Sequence, residues 1–310
     1  MNTIRRHLRP SPPFDFAKTL DYLGSSAWTV LEVVDDRSYR RAVRLGGKPV
    51  LIQLAEGVSR SDSAELLFEV TGEDLQSQDG RRAQEWVRRT FCLDAQVDEL
   101  AVAGTTDPVF REVLEQCWGL RPVLFPTVFE ALAWAIIGQQ INVGFAATCK
   151  RALADRYGDR LVVAERSYPM FPEPERLAGL SEADLAPLQF SRQKSRYIIG
   201  LARSVVEGRL NLEELQQLPA GEAEERLTSL MGVGRWTAEY VVMRGLGWRD
   251  TIPAGDGGLR RVIGRHYGLG RNATEPEVRA LAERWSGWRG YAALYWWYIL
   301  QREERKSRPG

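Results

Sequence analysis

From Leu230 to Tyr240 the chain reads Leu-Met-Gly-Val-Gly-Arg-Trp-Thr-Ala-Glu-Tyr. Two glycines one residue apart lie between segments of helical periodicity, Ala223–Leu230 and Arg235–Arg244, and leave almost no loop between them. The pattern predicts a tight helical hairpin. Gly232 and Gly234 permit positive φ and the close approach of another backbone. The first amides of a helix that starts near Arg235 point outward unsatisfied, and a helix start preceded by glycines is an anion site. Thr237, in the first turn, can add a hydroxyl to the same anion. Read alone, Gly-x-Gly fits an ordinary αα-hairpin with a glycine cap better. The pattern gains meaning from Asp256, which follows Gly234 by 22 residues at the end of Ile252-Pro253-Ala254-Gly255-Asp256.

Composition narrows the function classes. With 310 residues, 44% of them hydrophobic, the chain suits two or three packed units. Its longest apolar candidate, Tyr291–Leu300, is too short to span a membrane and is flanked by Arg289 and Arg302. Arg5, Arg6 and Arg9 are not followed by the apolar run of a signal peptide. Cys92, Cys117 and Cys149 lack metal-ligand spacing, and the only histidines are His7 and His266. A structural zinc site or a four-cysteine iron–sulfur cluster is therefore not expected, and a reducing, cytoplasmic setting is. Charge is uneven: residues 257–310 hold 11 Lys+Arg against 5 Asp+Glu, whereas residues 1–256 sum to −5. An anionic polymer docking near Asp256 and an ordinary basic tail, Arg302–Arg308, both fit that distribution.

The texture changes along the chain. Trp28–Val34, Ala42–Leu45, Val50–Leu54 and Leu66–Val70 read as short antiparallel strands, with helices starting near Phe16 and spanning roughly Arg81–Phe91. From about residue 94 the pattern is helical: Val128–Ile137, a face of Ile198, Leu201, Ala202 and Val205, then Leu212–Leu218, Gly257–Arg265, Val278–Trp285 and Tyr291–Arg302. The expectation is α+β: a small antiparallel-sheet domain over 1–93, then an all-α region over 94–310 with the hairpin at about 222–245 and the aspartate loop at 252–258.

The run Met231-Gly232-Val233-Gly234-Arg235-Trp236-Thr237-Ala238, with the Gly/Pro loop ending in Asp256, resembles the helix-hairpin-helix/Gly-Pro-Asp superfamily of base-excision DNA glycosylases. Within it, the chain is most similar to the alkylation-repair branch, DNA-3-methyladenine glycosylase II. The likeness covers most of 118–300 and, more weakly, the N-terminal domain, for which it implies a TBP-like sheet. The resemblance implies excision of alkylated purines from double-stranded DNA by a monomer, with no resident cofactor, though a monovalent cation at the hairpin is compatible with it.

The resemblance implies that Asp256 is catalytic. As a residue it is also a natural N-cap for a helix starting at Gly257, and both roles fit a rigid, ionised carboxylate. Cleaving an N-glycosidic bond builds positive charge on the sugar, which a fixed anion stabilises. Trp236 stands where lyase members carry a lysine nucleophile. A tryptophan cannot form a Schiff base, so base removal alone is implied. Trp236, Tyr240, Trp297 and, through Pro12–Phe16, Tyr22 match the base-stacking walls. Electron-rich rings attract a methylated, cationic purine. Trp296 and Trp297 are adjacent on a helix and cannot both face one pocket. Gln140, in Ile136–Asn142, matches the residue inserted where a base is flipped out, and a polar turn explains Gln139 and Gln140 equally simply. For Ser191 and Lys194 a phosphate contact and an exposed helix start are both open.

Two departures bear on lesion preference: Met231, where the family usually has proline, and Gly257-Gly258, where bulkier residues occur. A non-catalytic helix-hairpin-helix damage sensor accounts for the hairpin but gives no reason for Asp256 or the rings. A generic helical interaction protein predicts no salt-dependent DNA affinity.

Overall fold

The computed structural model describes residues 1–57 and 64–307. Arg308 of the basic tail lies outside the described residues. Five strands, β1 (Asn2–Leu8), β2 (Val33–Val34), β3 (Ser38–Leu45), β4 (Lys48–Glu56) and β5 (Leu66–Gly72), form one antiparallel sheet in the order β1-β5-β4-β3-β2. Alternation sets its faces: Leu66, Phe68 and Val70 of β5 turn into the core, and Ile52 and Leu54 of β4 lie opposite Val70 and Phe68. β1 escaped the sequence reading because Arg5, Arg6 and His7 interrupt its apolar pattern. It is an edge strand, where charged residues protect the open side.

Trp28–Val34 is not the strand its β-rich composition predicts, and only Val33–Val34 pairs. Its first half wraps the end of the helix Phe16–Ser25. Thr29 donates its hydroxyl to the carbonyl of Leu23 (2.7 Å), and Trp28 and Leu31 are buried. The composition reflects burial here, not pairing.

Beyond residue 94 the chain is mostly but not wholly helical, which corrects the all-α expectation. Arg160–Val163 (β6) and Arg166–Pro169 (β7) form a two-stranded hairpin. Its Leu161, Tyr168 and Met170 pack on Ala42 and Leu51, on the outer face of the sheet. The turn residues Ala164 and Glu165 both have positive φ (47° and 63°), a conformation normally marked by Asn-Gly or Gly. With neither present, the turn left no signal.

The helix Val128–Gly138 is buried on all sides, and the main core runs through it without a break from Leu8 to Leu300. Glu130 of this helix meets Arg41 of β3 at 2.6 Å and Lys150 of the next helix, Val143–Tyr157, at 2.8 Å. Arg41 also pairs with Glu32. These four charges are almost fully buried and join the sheet to the helical region. The second hairpin helix is α-helical only over Arg235–Val241. It widens into a π turn over Val242–Leu246 that ends at Gly247, so Arg244 enters the core at 1% exposure.

Candidate active site

Three segments remote in sequence meet around Asp256. The first is the hairpin, Ala220–Thr228 and Arg235–Val241. Its turn is closed by the Val233 amide donating to the Leu230 carbonyl (3.1 Å). Gly232 sits at φ 83°, and a Cβ there would come within 2.3 Å of the Tyr197 ring, so only glycine fits. Gly234 has an ordinary negative φ of −88° and open space where a Cβ would be. It caps the helix without a side chain, which leaves the first amides of Arg235–Val241 facing outward with no side-chain partner.

The Thr237 side chain does not join them. It is buried, and its hydroxyl accepts from Gln139 Nε2 at 3.1 Å, while the same nitrogen donates to the Gly232 carbonyl at 2.8 Å. The expectation that Thr237 faces an anion is therefore corrected: its side chain faces the Gln139 loop. Gln140 is exposed at φ 56°, directly after the apolar helix. Beside it, a cleft of about 590 Å³ separates the Gln139–Ile141 loop from Gly232–Gly234 and from the start of the helix Arg192–Val206. Ser191 caps that last helix by accepting from the Lys194 amide, and the Lys194 ammonium donates to the Ile137 carbonyl of the neighbouring helix at 2.7 Å.

The second segment is the aspartate loop. Asp256 caps the helix Gly257–His266, and its Oδ1 accepts from the Leu259 amide (2.8 Å) and from Trp297 Nε1 (3.1 Å). Oδ2 has no hydrogen-bond partner among the described residues and is the lone pair source left for a ligand. The third segment is the C-terminal helix, Arg289–Lys306. Trp296 points into the core against Phe110 and Trp285, and Trp297 is half-buried at the aspartate.

Above Asp256, Tyr240 lies between two rings, with centroids 5.6 Å from Trp236 and 5.9 Å from Trp297. Tyr22 is deeper, at 2% exposure, with its ring edge-on to Tyr298 and the Arg244 guanidinium over it. Its hydroxyl accepts from Arg244 Nη1 at 2.9 Å, and Tyr240 accepts from Trp134 Nε1 at 3.2 Å. Burial pushes the Tyr240 phenol up to about 12, with Arg244 opposing, so it stays protonated. The sequence reading missed Gln139, Trp134 and Arg244 as supports and missed the hydrogen bond from Trp297 to Asp256. Only Arg244 had a signal, a lone charge inside the apolar run Val241–Leu246. Among the described residues no group of three or more His, Cys, Asp or Glu could hold a metal ion.

A helical hairpin with an open amide end, a capped aspartate and an aromatic cage together define a class of DNA-repair protein, and sequence comparison agrees. The chain belongs to the HhH-GPD superfamily of base excision DNA repair proteins, whose pattern residues 133–287 match; residues 5–124 match the AlkA N-terminal domain. It is 29% identical to a DNA-3-methyladenine glycosylase of Bacillus subtilis over 93% of this chain and 94% of that one. It is 28% identical to DNA-3-methyladenine glycosylase 2 of Escherichia coli, with 93% and 94% covered. A 3-methyladenine DNA glycosylase from Archaeoglobus fulgidus has the same fold, with a TM-score of 0.82, 25% identity, and 96% of this chain and 98% of that one covered. The fold is shared with an 8-oxoguanine glycosylase/lyase of Clostridium acetobutylicum at 17% identity, TM-score 0.75, with 97% and 98% covered. Fold alone therefore does not select the chemistry.

Proposed function

We propose that this protein is a monofunctional DNA glycosylase that removes alkylated purines, 3-methyladenine and 7-methylguanine among them, and leaves an abasic site. The observation that carries the reading is the Asp256 carboxylate, fixed by two N–H groups through one oxygen and free at the other, beneath the Trp236–Tyr240–Trp297 rings. The outward amides after Gly234, at the start of the helix Arg235–Val241, take up phosphate oxygens and set the protein's register on the duplex. The damaged nucleotide rotates out, and Gln140 fills the gap it leaves. The rings hold the extruded base, with Tyr22 as a further ring of the pocket.

As the C1′–N bond stretches, its electron pair moves onto the base and positive charge grows on the sugar, which Asp256 stabilises. A water oxygen bonds to C1′, and its proton passes to Asp256 Oδ2. A purine methylated at N3 or N7 leaves neutral, so no acid is needed on the departing side. Trp236, in the place of a lysine nucleophile, offers no amine to form a Schiff base with the sugar. The protein works as a monomer on double-stranded DNA in the cytosol; none of the described helices is long and apolar enough to cross a membrane.

Base release from dimethyl sulfate-treated duplex DNA tests the reading. The wild-type protein releases methylated purines, and Asp256→Asn lowers the single-turnover rate by at least roughly a hundredfold. Unchanged release in that variant would leave a damage-binding protein in place of an enzyme. Strand cleavage without added base or nuclease would contradict the monofunctional chemistry.

A further inference from the structure

Tyr22 and Tyr240 come from remote parts of the sequence and are both buried, at 2% and 7% residue exposure, with Tyr240 between the Trp236 and Trp297 rings. Each hydroxyl oxygen receives one hydrogen bond: Tyr22 from Arg244 Nη1 (2.9 Å) and Tyr240 from Trp134 Nε1 (3.2 Å). A guanidinium and an indole N–H can only donate. Each tyrosine must therefore act as acceptor toward its partner, which leaves its own proton over. Neither proton finds an acceptor among the described residues. Trp236 adds a third unused donor, its Nε1 being buried without a partner. The remaining indole of the cage, that of Trp297, is committed to Asp256.

The support for the two hydroxyls is rigid. Arg244 is itself buried and holds the Val123 carbonyl through its other terminal nitrogen at 2.8 Å. Trp134 sits on the fully buried helix Val128–Gly138. The polar edge of the cage is thus built wholly of donors, and leaving such donors unmatched is costly in a buried site. A ligand whose inner edge carries acceptors is rewarded. One that presents an N–H there meets a donor with a donor.

Resting on the glycosylase reading above, we propose that the Tyr22 and Tyr240 hydroxyls set base preference by donating to the extruded purine, favouring an oxygen at C6 over an amino group there. 7-Methylguanine offers the oxygen, and 3-methyladenine offers the amino group at the same ring carbon. The rings stack on either base, so discrimination rests on the hydroxyl protons.

The test is single-turnover release of both bases from one preparation of methylated duplex DNA by the wild-type protein, Tyr22→Phe and Tyr240→Phe. Both variants keep the ring. Because the two bases are released by the same sample, the ratio of their rates is independent of the fraction of protein that folds, and thermal melts followed by circular dichroism record that fraction. The expected result is a fall of about tenfold in the 7-methylguanine to 3-methyladenine rate ratio in each variant. A ratio that falls in neither variant, whether both rates drop together or neither drops, assigns the tyrosines to ring packing alone and overturns the proposal while the glycosylase reading stands. Release of neither base by the wild-type protein would remove the glycosylase reading itself.

Discussion

Trp297 does two jobs with one side chain, and the two are separable by substitution. Its ring faces Tyr240, and its Nε1 donates to the oxygen of Asp256 that also caps a helix. A carboxylate held by two donors through one oxygen presents the other in a set direction, which is the preorganisation that transition-state stabilisation requires. Trp297→Phe removes the donor and keeps an aromatic, though smaller, ring against Tyr240. The expected outcome is a fall of roughly tenfold in the single-turnover rate, with affinity for an abasic-site duplex changed much less. Equal losses in rate and affinity would place the effect in stacking. The helix-capping role of Asp256 was legible from the loop that precedes it. The link of Asp256 to Trp297, 41 residues away, was not, because the pairing depends on where the C-terminal helix packs and no local pattern encodes that.

The hairpin shows how two glycines in one motif answer different physical demands. Gly232 is obligatory through its backbone and its neighbour, Tyr197, while Gly234 is free of both constraints. Gly232→Ala is expected to destabilise the hairpin and reduce both thermal stability and duplex affinity, since strain at positive φ adds to the overlap with the ring. Gly234→Ala is expected to leave the melting temperature close to that of the wild type while still weakening duplex binding, because its methyl group occupies the approach to the outward amides. Calorimetry and a binding titration at fixed salt separate the two effects. Helices and the hairpin were readable because their periodicity and glycine punctuation are local. The edge strand β1 and the β6–β7 hairpin were not, since an arginine-rich edge and a turn made by Ala164 and Glu165 carry no composition signal. Trp28–Val34 misled for the reverse reason: its β-branched and aromatic residues serve burial around a helix end.

At the scale of the molecule, the sheet and the helical region share one core, and the charges buried at their junction connect it to the site. Glu130 lies on the helix that also carries Trp134, the support of Tyr240, and that ends at Gln139, the support of the hairpin. Burial pushes the Glu130 carboxyl up, but Arg41 and Lys150 outweigh it and hold it below the ordinary range. The same burial brings the Lys150 ammonium down to about 8, against the pull of Glu130. Replacing Glu130 with Gln leaves Arg41 and Lys150 buried with Glu32 as the single remaining carboxylate, and breaking a buried pair from one side costs about 3–5 kcal/mol. The urea midpoint should fall accordingly, whereas Glu182→Gln, at a surface pair with Arg192 and Arg196, should leave it near the wild-type value. Acid sensitivity gives an independent check. Because the folded carboxyl titrates below its unfolded value, its contribution is complete above the unfolded carboxyl pKa of about 4.3 and is lost as pH falls through the folded one. Glu130→Gln removes that component, so wild type and variant should converge in stability as pH is lowered from 7 toward 3. Parallel curves over that range would show that the buried cluster does not join the two halves of the molecule in the way its geometry implies.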